Sequence, residues 1–383
     1  MTQIAFFGHN ASDPAVRRRV QSFQDDGLDV VGFTMRRDEP QDIQWQNIDL
    51  GKTRDGAFLA RIISIFKGAK RAAMERDILA GVDVIYARNL DMLCCAFLAK
   101  RHTKLATPVI YECLDVHRLL TRRDVIGKLA RWLEGSLLKR TAGLVVSSPS
   151  FIKHHFERYY PGDYKAVLVE NRLAAGAEYG PRPNGKVAVQ GEPNKQPLRI
   201  GWVGILRCQR SLDLLCKVAD ALQDKVEIRL HGIPARTEIA VFEPEIEKRA
   251  NMQYFGRYKS PEDLADIYSG LDVVWAGDFM EAGYNSVWLL PNRIYEGGYY
   301  ATPAIAPKGT QTADWLAENA CGGACAEPLE ETLPDLFDRY ADDRRELANF
   351  EQALAGLDLD KFIQPVGFMR QVIESFVKTE PAP

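Results

Sequence analysis

Residues 198–222 have the sequence LRIGWVGILRCQRSLDLLCKVADAL, and this stretch indicates the fold of the second half of the chain. Apart from Arg199, its first seven residues are apolar or glycine, and Gly204 then opens a short polar loop. From Leu212 to Leu222 the apolar residues recur at helical spacing. A buried strand that leads through a glycine turn into an amphipathic helix is the repeating unit of a doubly wound parallel sheet.

The same alternation of short apolar runs and longer amphipathic stretches extends in both directions along the chain. After residue 222 the runs are VEIRLHG, MQYFG, LDVVWAG and TPAIAP. Before residue 173 they are QIAFFGH, LDVVGFT, VDVIYAR, TPVIYEC, AGLVVSS and AVLVEN. Strands that alternate with helices form a parallel sheet covered on both faces. The sequence therefore predicts an α/β protein with two Rossmann-like, doubly wound domains that face a central cleft.

A segment rich in proline and glycine separates the two predicted domains. Residues 174–197 contain four Gly and four Pro and show almost no apolar pattern. We predict an N-terminal domain at 1–172, a linker at 173–197 and a C-terminal domain at 198–360. Residues 361–383 are predicted to form a helix, interrupted near Pro365, that packs back on the N-terminal domain.

Composition and charge exclude several classes of protein. Of the 383 residues, 46% are hydrophobic and 26% are charged, which excludes a disordered or collagenous chain. The first 172 residues hold 27 Lys and Arg against 20 Asp and Glu, so the N-terminal half is basic and the remainder is acidic. No apolar run could span a bilayer, no signal peptide is evident, and the seven scattered cysteines form no disulfide framework. A cytoplasmic protein is expected.

The loop after Gly204 carries two arginines, Arg207 and Arg210, at the start of a predicted helix. A glycine turn, a helix N-terminus and guanidinium groups together favour a diphosphate pocket over a plain loop with solvated arginines. No G-x-G-x-x-G follows the first strand of either half, and no P-loop motif occurs in the chain. A dehydrogenase and a P-loop NTPase are therefore disfavoured.

Further along, residues 278–307 give the sequence a specific resemblance. They run DFMEAGYNSVWLLPNRIYEGGYYATPAIAP, which is a polar turn, then P-N-R-x-Y-E-G-G at a helix start, then a strand of small residues. This pattern resembles the donor-binding region of GT-B glycosyltransferases of the family 4 (group 1) type. The resemblance covers residues 198–307 well, and over residues 1–172 it is only an outline.

The resemblance implies a nucleotide-sugar donor, UDP- or GDP-linked, held by the C-terminal domain. Glu296 would hold the ribose hydroxyls and Arg207 and Arg210 the diphosphate. Tyr258 would lie near the nucleobase, with a core-edge tyrosine as the alternative. The implied donor-binding set is Gly204, Arg207, Arg210, Tyr258, Asn285, Ser286, Asn292, Arg293 and Glu296.

One departure concerns the stereochemistry of the reaction. Retaining members of the resembling family carry E-x7-E, and the position eight residues before Glu296 is Trp288. Glu281 lies too far upstream to replace that acid by spacing. Contacts to the donor sugar would then come partly from Asn285 or Glu281, and the retaining and inverting outcomes both remain open.

The N-terminal domain is expected to supply the acceptor side, because polar residues cluster after three of its predicted strands. Asp115 and His117 lie two residues apart and suit an acid/base role, although a helix N-cap beside a surface histidine is an equal alternative. The other acceptor-side candidates are His9, Asn10, Asp13, Arg17, Asn89 and Glu112.

Two basic amphipathic stretches bear on location. Residues 56–76 combine Phe58, Leu59 and Phe66 with lysines and arginines, and residues 118–140 carry seven Lys and Arg against two acids, with Trp132. Such helices either lie on an anionic membrane surface or bury their apolar stripe against the sheet.

We therefore predict a metal-independent glycosyltransferase of the hexosyltransferase type, in bacterial exopolysaccharide or surface glycan synthesis. No D-x-D motif sits at a predicted strand end, so neither a metal nor another cofactor is expected. The expected partners are a glycan or lipid-linked glycan acceptor and an anionic membrane, not nucleic acid, which places the protein in the cytoplasm or on the inner face of the plasma membrane. The alternatives are a nucleotide-sugar epimerase of similar fold and a non-catalytic nucleotide-sugar binding protein.

Overall fold

The computed structural model describes residues 2–37, 43–53, 58–183 and 196–377. The chain divides into two compact units. The first unit comprises Met1–Glu170, Ala174–Gly176 and Gln364–Pro383, and the second comprises Asn171–Leu173 and Ala177–Ile363. Residues 184–195 of the predicted linker lie outside the described residues. In the N-terminal half, the side chains of Phe58 and Leu59 also lie outside the described part.

The first unit contains a parallel sheet whose described strands have the order β3-β2-β1-β4-β5-β6-β7. These strands are β1 (Gln3–Gly8), β2 (Asp29–Arg36), β3 (Asn47–Lys52), β4 (Val84–Arg88), β5 (Val109–Cys113), β6 (Gly143–Val146) and β7 (Ala166–Leu168). The helices are α1 (Pro14–Asp25), α2 (Phe58–Met74), α3 (Arg76–Gly81), α4 (Asn89–Thr103), α5 (Arg118–Thr121), α6 (Val125–Leu138), α7 (Pro149–Phe151) and α8 (Glu157–Tyr159), with a π-helix at Ile152–Phe156.

The second unit contains a parallel sheet with the strand order β10-β9-β8-β11-β12-β13. These strands are β8 (Leu198–Leu206), β9 (Val226–Pro234), β10 (Met252–Gly256), β11 (Val273–Trp275), β12 (Ala304–Pro307) and β13 (Gly322–Cys325). The helices are α9 (Gln209–Leu222), α10 (Glu243–Glu247), α11 (Leu264–Ser269), α12 (Asn285–Trp288), α13 (Asn292–Tyr299), α14 (Gln311–Glu318), α15 (Leu329–Asp342) and α16 (Arg345–Gly356), with 3-10 turns at Gln223–Lys225 and Leu359–Lys361. Both strand orders are doubly wound, which confirms the predicted fold class.

The last helix, α17 (Phe368–Val377), belongs to the first unit. The carboxylate of Asp26, at the end of α1, accepts a backbone N–H from Arg370 at 3.0 Å and another from Gly367. Phe376 lies against Gly143 of β6, where an added Cβ would approach its ring to 2.1 Å. The first unit is therefore built from both ends of the chain.

Each sheet is covered on both faces, as its strand sequences require. In the second unit, Trp202 and Trp275 pack with α9 and α15 on one face, while Tyr268 and Tyr295 pack with α11, α13 and α14 on the other. Part of the predicted linker joins this second core, since Leu173 and Tyr179 are buried in it. Burial on both faces leaves the carboxyl edge of each sheet as the place where polar side chains collect.

Candidate functional site

At the carboxyl edge of the second sheet, β8 and β11 lie side by side although β9 and β10 separate them in sequence. Ligands of doubly wound sheets bind outside such a topological switch point. Strand β8 passes the edge through Gly204, which has φ +113° and lies opposite Gly232 of β9. A Cβ on Gly232 would come within 1.7 Å of the Gly204 carbonyl oxygen, so only glycine fits there.

A cluster formed by Arg207, Asp278 and Ser286 occupies this edge. Arg207 follows β8, and its Nε donates to Asp278 Oδ2 at 3.0 Å. Asp278 follows β11, and its Oδ1 accepts from Ser286 Oγ at 2.6 Å and from the Met280 N–H at 3.1 Å. Burial opposes ionisation of Asp278, but Arg207 and these donors outweigh it and lower the pKa of the carboxyl group. The carboxylate therefore links the arginine loop to the turn before α12.

Arg293 adds a second guanidinium from the first turn of α13. It is buried, and its Nη1 donates to the Trp275 carbonyl oxygen at 3.1 Å. Its Nη2 lies 3.9 Å from the position of a Cβ built on Gly204, so it faces the same edge. Burial lowers the pKa of Arg293, although Asp278 partly offsets that effect. The guanidinium remains charged because its ordinary pKa is far above neutrality.

Glu296 lies one turn further along α13 and is 2% exposed. Tyr268 of α11 donates its hydroxyl to Glu296 Oε2 at 2.8 Å. Burial, followed by the negative charge of Glu296, raises the pKa of Tyr268 well above its usual value, so this hydroxyl stays a donor. Tyr258 interacts electrostatically with Tyr268 and with Arg293, which places it beside the same group.

Two further donor-side candidates lie at the starts of the neighbouring helices. Asn285 begins α12 and is buried. Asn292 begins α13, and its Oδ1 accepts a hydrogen bond from Asn171 Nδ2. The structure thus gathers most of the implied donor set, from Gly204 to Glu296, at the ends of β8 and β11 and on α13.

Arg210, another member of the implied donor set, pairs with acidic residues at the start of α15. Helix α9 begins at Gln209 rather than near Leu212, so Arg210 stands within its first turn. Its guanidinium donates to Glu327 at 2.7 Å and to Glu330 at 3.0 Å, and it lies 4.7 Å from the ring centroid of Phe279. The prediction from sequence assumed a loop at this position, and the earlier helix start directs Arg210 to α15 instead.

Trp288, at the position of the absent acid, ends α12 and packs edge-on against Tyr284 at 6.0 Å between ring centroids. Glu281 lies in the turn before α12, and its backbone N–H donates to Ser286 Oγ at 2.8 Å. Ser286 thus bonds both Asp278 and the backbone of Glu281, which fixes the conformation of this turn.

In the first unit, β1, β4 and β5 are neighbours and bring three of the predicted acceptor loops to one edge. Glu112 on β5 is fully buried there. Its Oε2 accepts from Arg88 Nε at 2.6 Å, and its Oε1 accepts from Arg88 Nη2 at 3.0 Å and Arg19 Nε at 2.9 Å. This triad corrects the expectation for Glu112: both carboxylate oxygens are committed to arginines inside the core, and no part of the side chain is accessible.

His9 and Asp13 follow β1 and face one another. His9 Nε2 lies 3.5 Å from Asp13 Oδ2, and Asp13 caps α1 by accepting the Ala15 and Val16 N–H groups. Burial opposes the charge on Asp13, but the hydrogen bond to His9, the charges of His9 and Arg88 and the Ala15 N–H together outweigh it, and the pKa of Asp13 falls. His9 also interacts with Asp91, a partly buried residue of α4 that Arg61 binds at 2.7 Å.

Two other acceptor-side candidates, Asn10 and Asn89, accept hydrogen bonds from backbone N–H groups. Asn10 Oδ1 accepts the Ser12 N–H at 3.3 Å. Asn89 has φ +67°, the left-handed conformation that asparagine tolerates, and its Oδ1 accepts the Leu114 N–H at 3.1 Å. Arg17 lies on α1 and is partly buried. These contacts fix the loop conformations at the edge of the sheet.

Asp115 and His117 lie between β5 and α5, and both are partly buried. His117 caps α5, because its Nδ1 accepts the Leu119 N–H at 3.2 Å. A neutral imidazole that accepts through Nδ1 carries its proton on Nε2. His117 therefore carries its proton on Nε2, and the helix cap expected in this loop is the histidine rather than the aspartate.

Sequence reasoning missed several polar residues of the two edges. Asp278 and Tyr268 on the donor side, and Asp91 on the acceptor side, were absent from the predicted sets. Asp278 stands directly after the run LDVVWAG, so its place at a strand end was visible in the sequence. Tyr268 and Asp91 lie on helices, and only the tertiary fold brings them to the sites.

Neither a metal-binding cluster nor a membrane-spanning helix occurs in the parts of the chain that the structure describes. Over those residues, no group of three or more His, Cys, Asp or Glu side chains is arranged to hold a metal ion. None of the described helices is both long and apolar enough to cross a bilayer.

Comparison with known proteins identifies relatives over nearly the whole chain. A scan against protein family models gives no match. The succinoglycan biosynthesis protein ExoL of Rhizobium meliloti is 38% identical over 350 residues, which cover 89% of this chain and 87% of that protein. Among solved structures, Anabaena HepE in complex with UDP and glucose has a TM-score of 0.70 at 12% identity, covering 99% of this chain and 100% of that one.

Two further solved structures have a similar fold. Sucrose-phosphate synthase from Thermosynechococcus elongatus has a TM-score of 0.72 at 14% identity, covering 99% of this chain and 100% of that chain. WaaG, a glycosyltransferase involved in lipopolysaccharide biosynthesis, has a TM-score of 0.60 at 14% identity, covering 98% of this chain and 99% of that chain. At such identities these likenesses show the fold alone.

Proposed function

The chain belongs to the family of the succinoglycan biosynthesis protein ExoL, and from that premise we propose that it is a glycosyltransferase of the GT-B type whose two units take different parts in the reaction. The second unit binds a nucleotide diphosphate sugar, and the first unit presents the hydroxyl that accepts the sugar in exopolysaccharide synthesis. The observation that carries the proposal is the convergence of Arg207, Arg293 and Glu296 at the switch point of the second sheet.

The donor is a UDP-sugar in this proposal. Arg207 and Arg293 bind the diphosphate, since guanidinium groups match phosphate oxygens in charge and shape. Glu296 accepts hydrogen bonds from the ribose hydroxyls, with Tyr268 holding the other side of its carboxylate. Uridine rather than guanosine is supported by HepE, whose structures contain UDP and UDP-glucose.

The departing diphosphate gains negative charge as the glycosidic bond to it breaks. Two guanidiniums fixed before the reaction stabilise that charge without reorganisation. Arg293 is fixed by burial and by the Trp275 carbonyl, and Arg207 by Asp278. We propose that these groups make the transfer independent of a metal ion.

On the acceptor side, Asp115 and His117 take different roles. In this proposal His117, protonated at Nε2, donates a hydrogen bond to a substrate oxygen when the substrate binds. Asp115 is then the group that takes the acceptor proton if the configuration inverts. If the configuration is retained, no strong base is needed, and His117 contacts the donor sugar.

The acceptor is proposed to be a glycan carried on a lipid at an anionic membrane surface on the cytoplasmic side. Helix α6 supports this, because its outward face is apolar: Val125, Leu129 and Trp132 are 68%, 59% and 71% exposed. Exposed cations surround that face: Arg122, Arg123, Lys128, Lys139 and Arg140. Helix α2 adds exposed Ile63 and Phe66 beside lysines. Apolar side chains framed by cations match the interface of an anionic bilayer.

Calorimetry tests the donor site. UDP should bind at least tenfold more tightly than uridine, because only UDP engages the two arginines. Equal affinities would remove the diphosphate pocket. Incubation with sugar-labelled UDP-sugars then separates the activities: transfer requires added acceptor, an epimerase converts the donor alone, and a binding protein produces neither product.

Sedimentation with vesicles tests the membrane proposal. The protein should pellet with phosphatidylglycerol vesicles, less so at high salt, and stay in the supernatant with phosphatidylcholine. Trp132→Ser should weaken this binding several-fold, whereas Val241→Ser, which changes an exposed apolar residue of the second unit, should not. A Trp132→Ser change in oligomeric state, with vesicle binding unaltered, would instead make α6 a contact between two copies.

A further inference from the structure

Two buried aspartates stand at the two ends of β11, and each pairs with arginine. Asp272 precedes the strand, where it accepts from Arg199 Nη2 at 2.6 Å and Arg344 Nη1 at 3.0 Å. Asp278 follows the strand and pairs with Arg207. The two share residue type, burial and an arginine partner, and they differ in the edge of the sheet that they occupy.

Asp278 holds Arg207 through Nε. A guanidinium bonded at Nε has its plane fixed, and a fixed guanidinium matches phosphate oxygens in charge and shape. Arg207 stands directly after β8, next to the turn at Gly204, and its side chain is 27% exposed. The bond to Asp278 therefore sets the direction in which this arginine faces a ligand.

The other oxygen of Asp278 holds the turn that leads into α12. Oδ1 accepts from Ser286 Oγ and from the Met280 N–H, and Ser286 Oγ in turn accepts the Glu281 N–H. One carboxylate thus fixes both the arginine assigned to the diphosphate and the turn implied to touch the sugar.

We propose that Asp278 is a positioning residue for the donor: it orients Arg207 toward the diphosphate and locks the Ser286 turn in register with it. This inference rests on the proposed function, since it takes the diphosphate to lie against Arg207.

The sign of the effect of neutralising Asp278 distinguishes positioning from plain electrostatics. Simple Coulomb repulsion between a carboxylate and a diphosphate predicts that its removal tightens nucleotide binding. Positioning predicts the reverse, because an arginine released from its partner must be ordered again when the ligand binds.

The test measures UDP and uridine binding to wild type, Asp278→Asn and Asp272→Asn by calorimetry. Asp278→Asn should lose tenfold or more in UDP affinity and keep its uridine affinity. Asp272→Asn should lower the unfolding midpoint to a similar extent, because it also disturbs a buried ion pair, and leave both affinities unchanged. UDP binding to Asp278→Asn at wild-type strength or tighter would overturn the inference.

A second variant keeps the test decisive if Asp278→Asn folds poorly. Ser286→Ala removes only the hydroxyl that bonds Asp278 Oδ1, and it should raise the donor KM several-fold with the unfolding midpoint little changed. An unaltered KM for the donor would count against the link between turn and arginine. Failure of wild type to prefer UDP over uridine would instead defeat the proposed function, and the two failures are therefore separable.

Discussion

Each of the two units has a buried carboxylate paired with arginine near the carboxyl edge of its sheet, and the two groups differ in what they leave accessible. In the first unit Arg19, Arg88 and Glu112 are all buried, and both glutamate oxygens are bonded. In the second unit Asp278 binds Arg207, whose side chain is 27% exposed, while Arg293 is anchored to a backbone carbonyl. Both groups combine a carboxylate with arginines, but only the second leaves an arginine side chain partly exposed.

This difference separates an ion pair that holds a fold from one that prepares a binding site. A buried carboxylate whose oxygens are filled by arginines stabilises the core relative to the broken pair and offers nothing to a ligand. A carboxylate that pairs with a partly exposed arginine leaves part of that arginine side chain accessible to a ligand. An arginine near the end of a strand does not by itself indicate a ligand site. Whether its side chain is available to a ligand depends on the residues that it pairs with.

Breaking the closed triad should have the largest effect. Glu112→Gln removes the charge that neutralises Arg88 and Arg19, and it should lower the free energy of unfolding by about 3–5 kcal/mol, the cost of leaving a buried charge unpaired. Urea denaturation measures it. A variant with wild-type stability that loses only turnover would return Glu112 to the acceptor site.

The triad also gives a pH dependence with a definite sign. The arginines outweigh burial and lower the pKa of Glu112 in the folded state. Its contribution to stability is therefore complete above the unfolded pKa of about 4.3 and is lost as the pH falls through the lower folded value. Glu112→Gln should flatten the stability profile of the protein below about pH 4.

The second prediction concerns the accessible part of the first unit. Asp115→Asn and His117→Ala should each keep UDP affinity, while at least one lowers kcat about a hundredfold or more, the scale for loss of general acid/base catalysis. If only His117→Ala does so, a donor rather than a base is the essential group. Near wild-type rates in both would move the search to His9 and Asp13.

The third prediction concerns Glu296, the carboxylate of the second unit that is proposed to receive the ribose. Glu296→Ala should weaken UDP binding by about 1.5–3 kcal/mol, the range for hydrogen bonds to a charged group. Calorimetry measures it, and uridine should show the same loss because it keeps the ribose. Unchanged affinity for both ligands would remove the ribose role.

The sequence predicts the fold well because the strand pattern is strong and local. The runs LRIGWVG and LDVVWAG need burial on both faces, and parallel sheets provide it. Short polar strands such as β3 (Asn47–Lys52) escaped prediction because they lie at a sheet edge, where apolar alternation is weak. Helix α15 escaped as well, since Pro334 within it violates the local rule for helices.

The candidate site was predicted in part, for the same physical reason. Arg207, Arg293 and Glu296 belong to segments whose positions follow from the order of strands and helices. Glu112 is paired with Arg88 and Arg19, which lie 24 and 93 residues away in sequence. The direction of Arg210 depends on Glu330, 120 residues away, and on where α9 begins. No local pattern carries that information.

The contrast between Arg207 and Arg210 provides the fourth prediction. Arg207→Lys should weaken UDP binding by about 1–2 kcal/mol beyond any change for uridine, because lysine lacks the planar fork. Arg210→Lys should leave UDP affinity within about 0.5 kcal/mol, since Arg210 makes solvent-exposed pairs with Glu327 and Glu330. Equal losses in the two variants would place both arginines at the diphosphate.

The smallest expected effect belongs to Tyr268, which holds Glu296 from inside the core. Tyr268→Phe keeps the ring and removes one hydroxyl, so both stability and UDP affinity should fall by about 0.5–1.5 kcal/mol, the net value of one hydrogen bond.

The loss of stability and the loss of UDP affinity have separate causes, and a double mutant distinguishes them. If Tyr268 acts on the nucleotide through Glu296, then Tyr268→Phe should have no further effect on UDP affinity once Glu296 is alanine. The free energy of unfolding of the double mutant need not follow its UDP affinity. A further loss of UDP affinity in the double mutant would mean that Tyr268 acts on the nucleotide by another route, through Tyr258 or Arg293, with which it also interacts electrostatically. Tyr268 would then act on the donor site through more than one residue, unlike the closed triad, where both arginines bond the single carboxylate of Glu112.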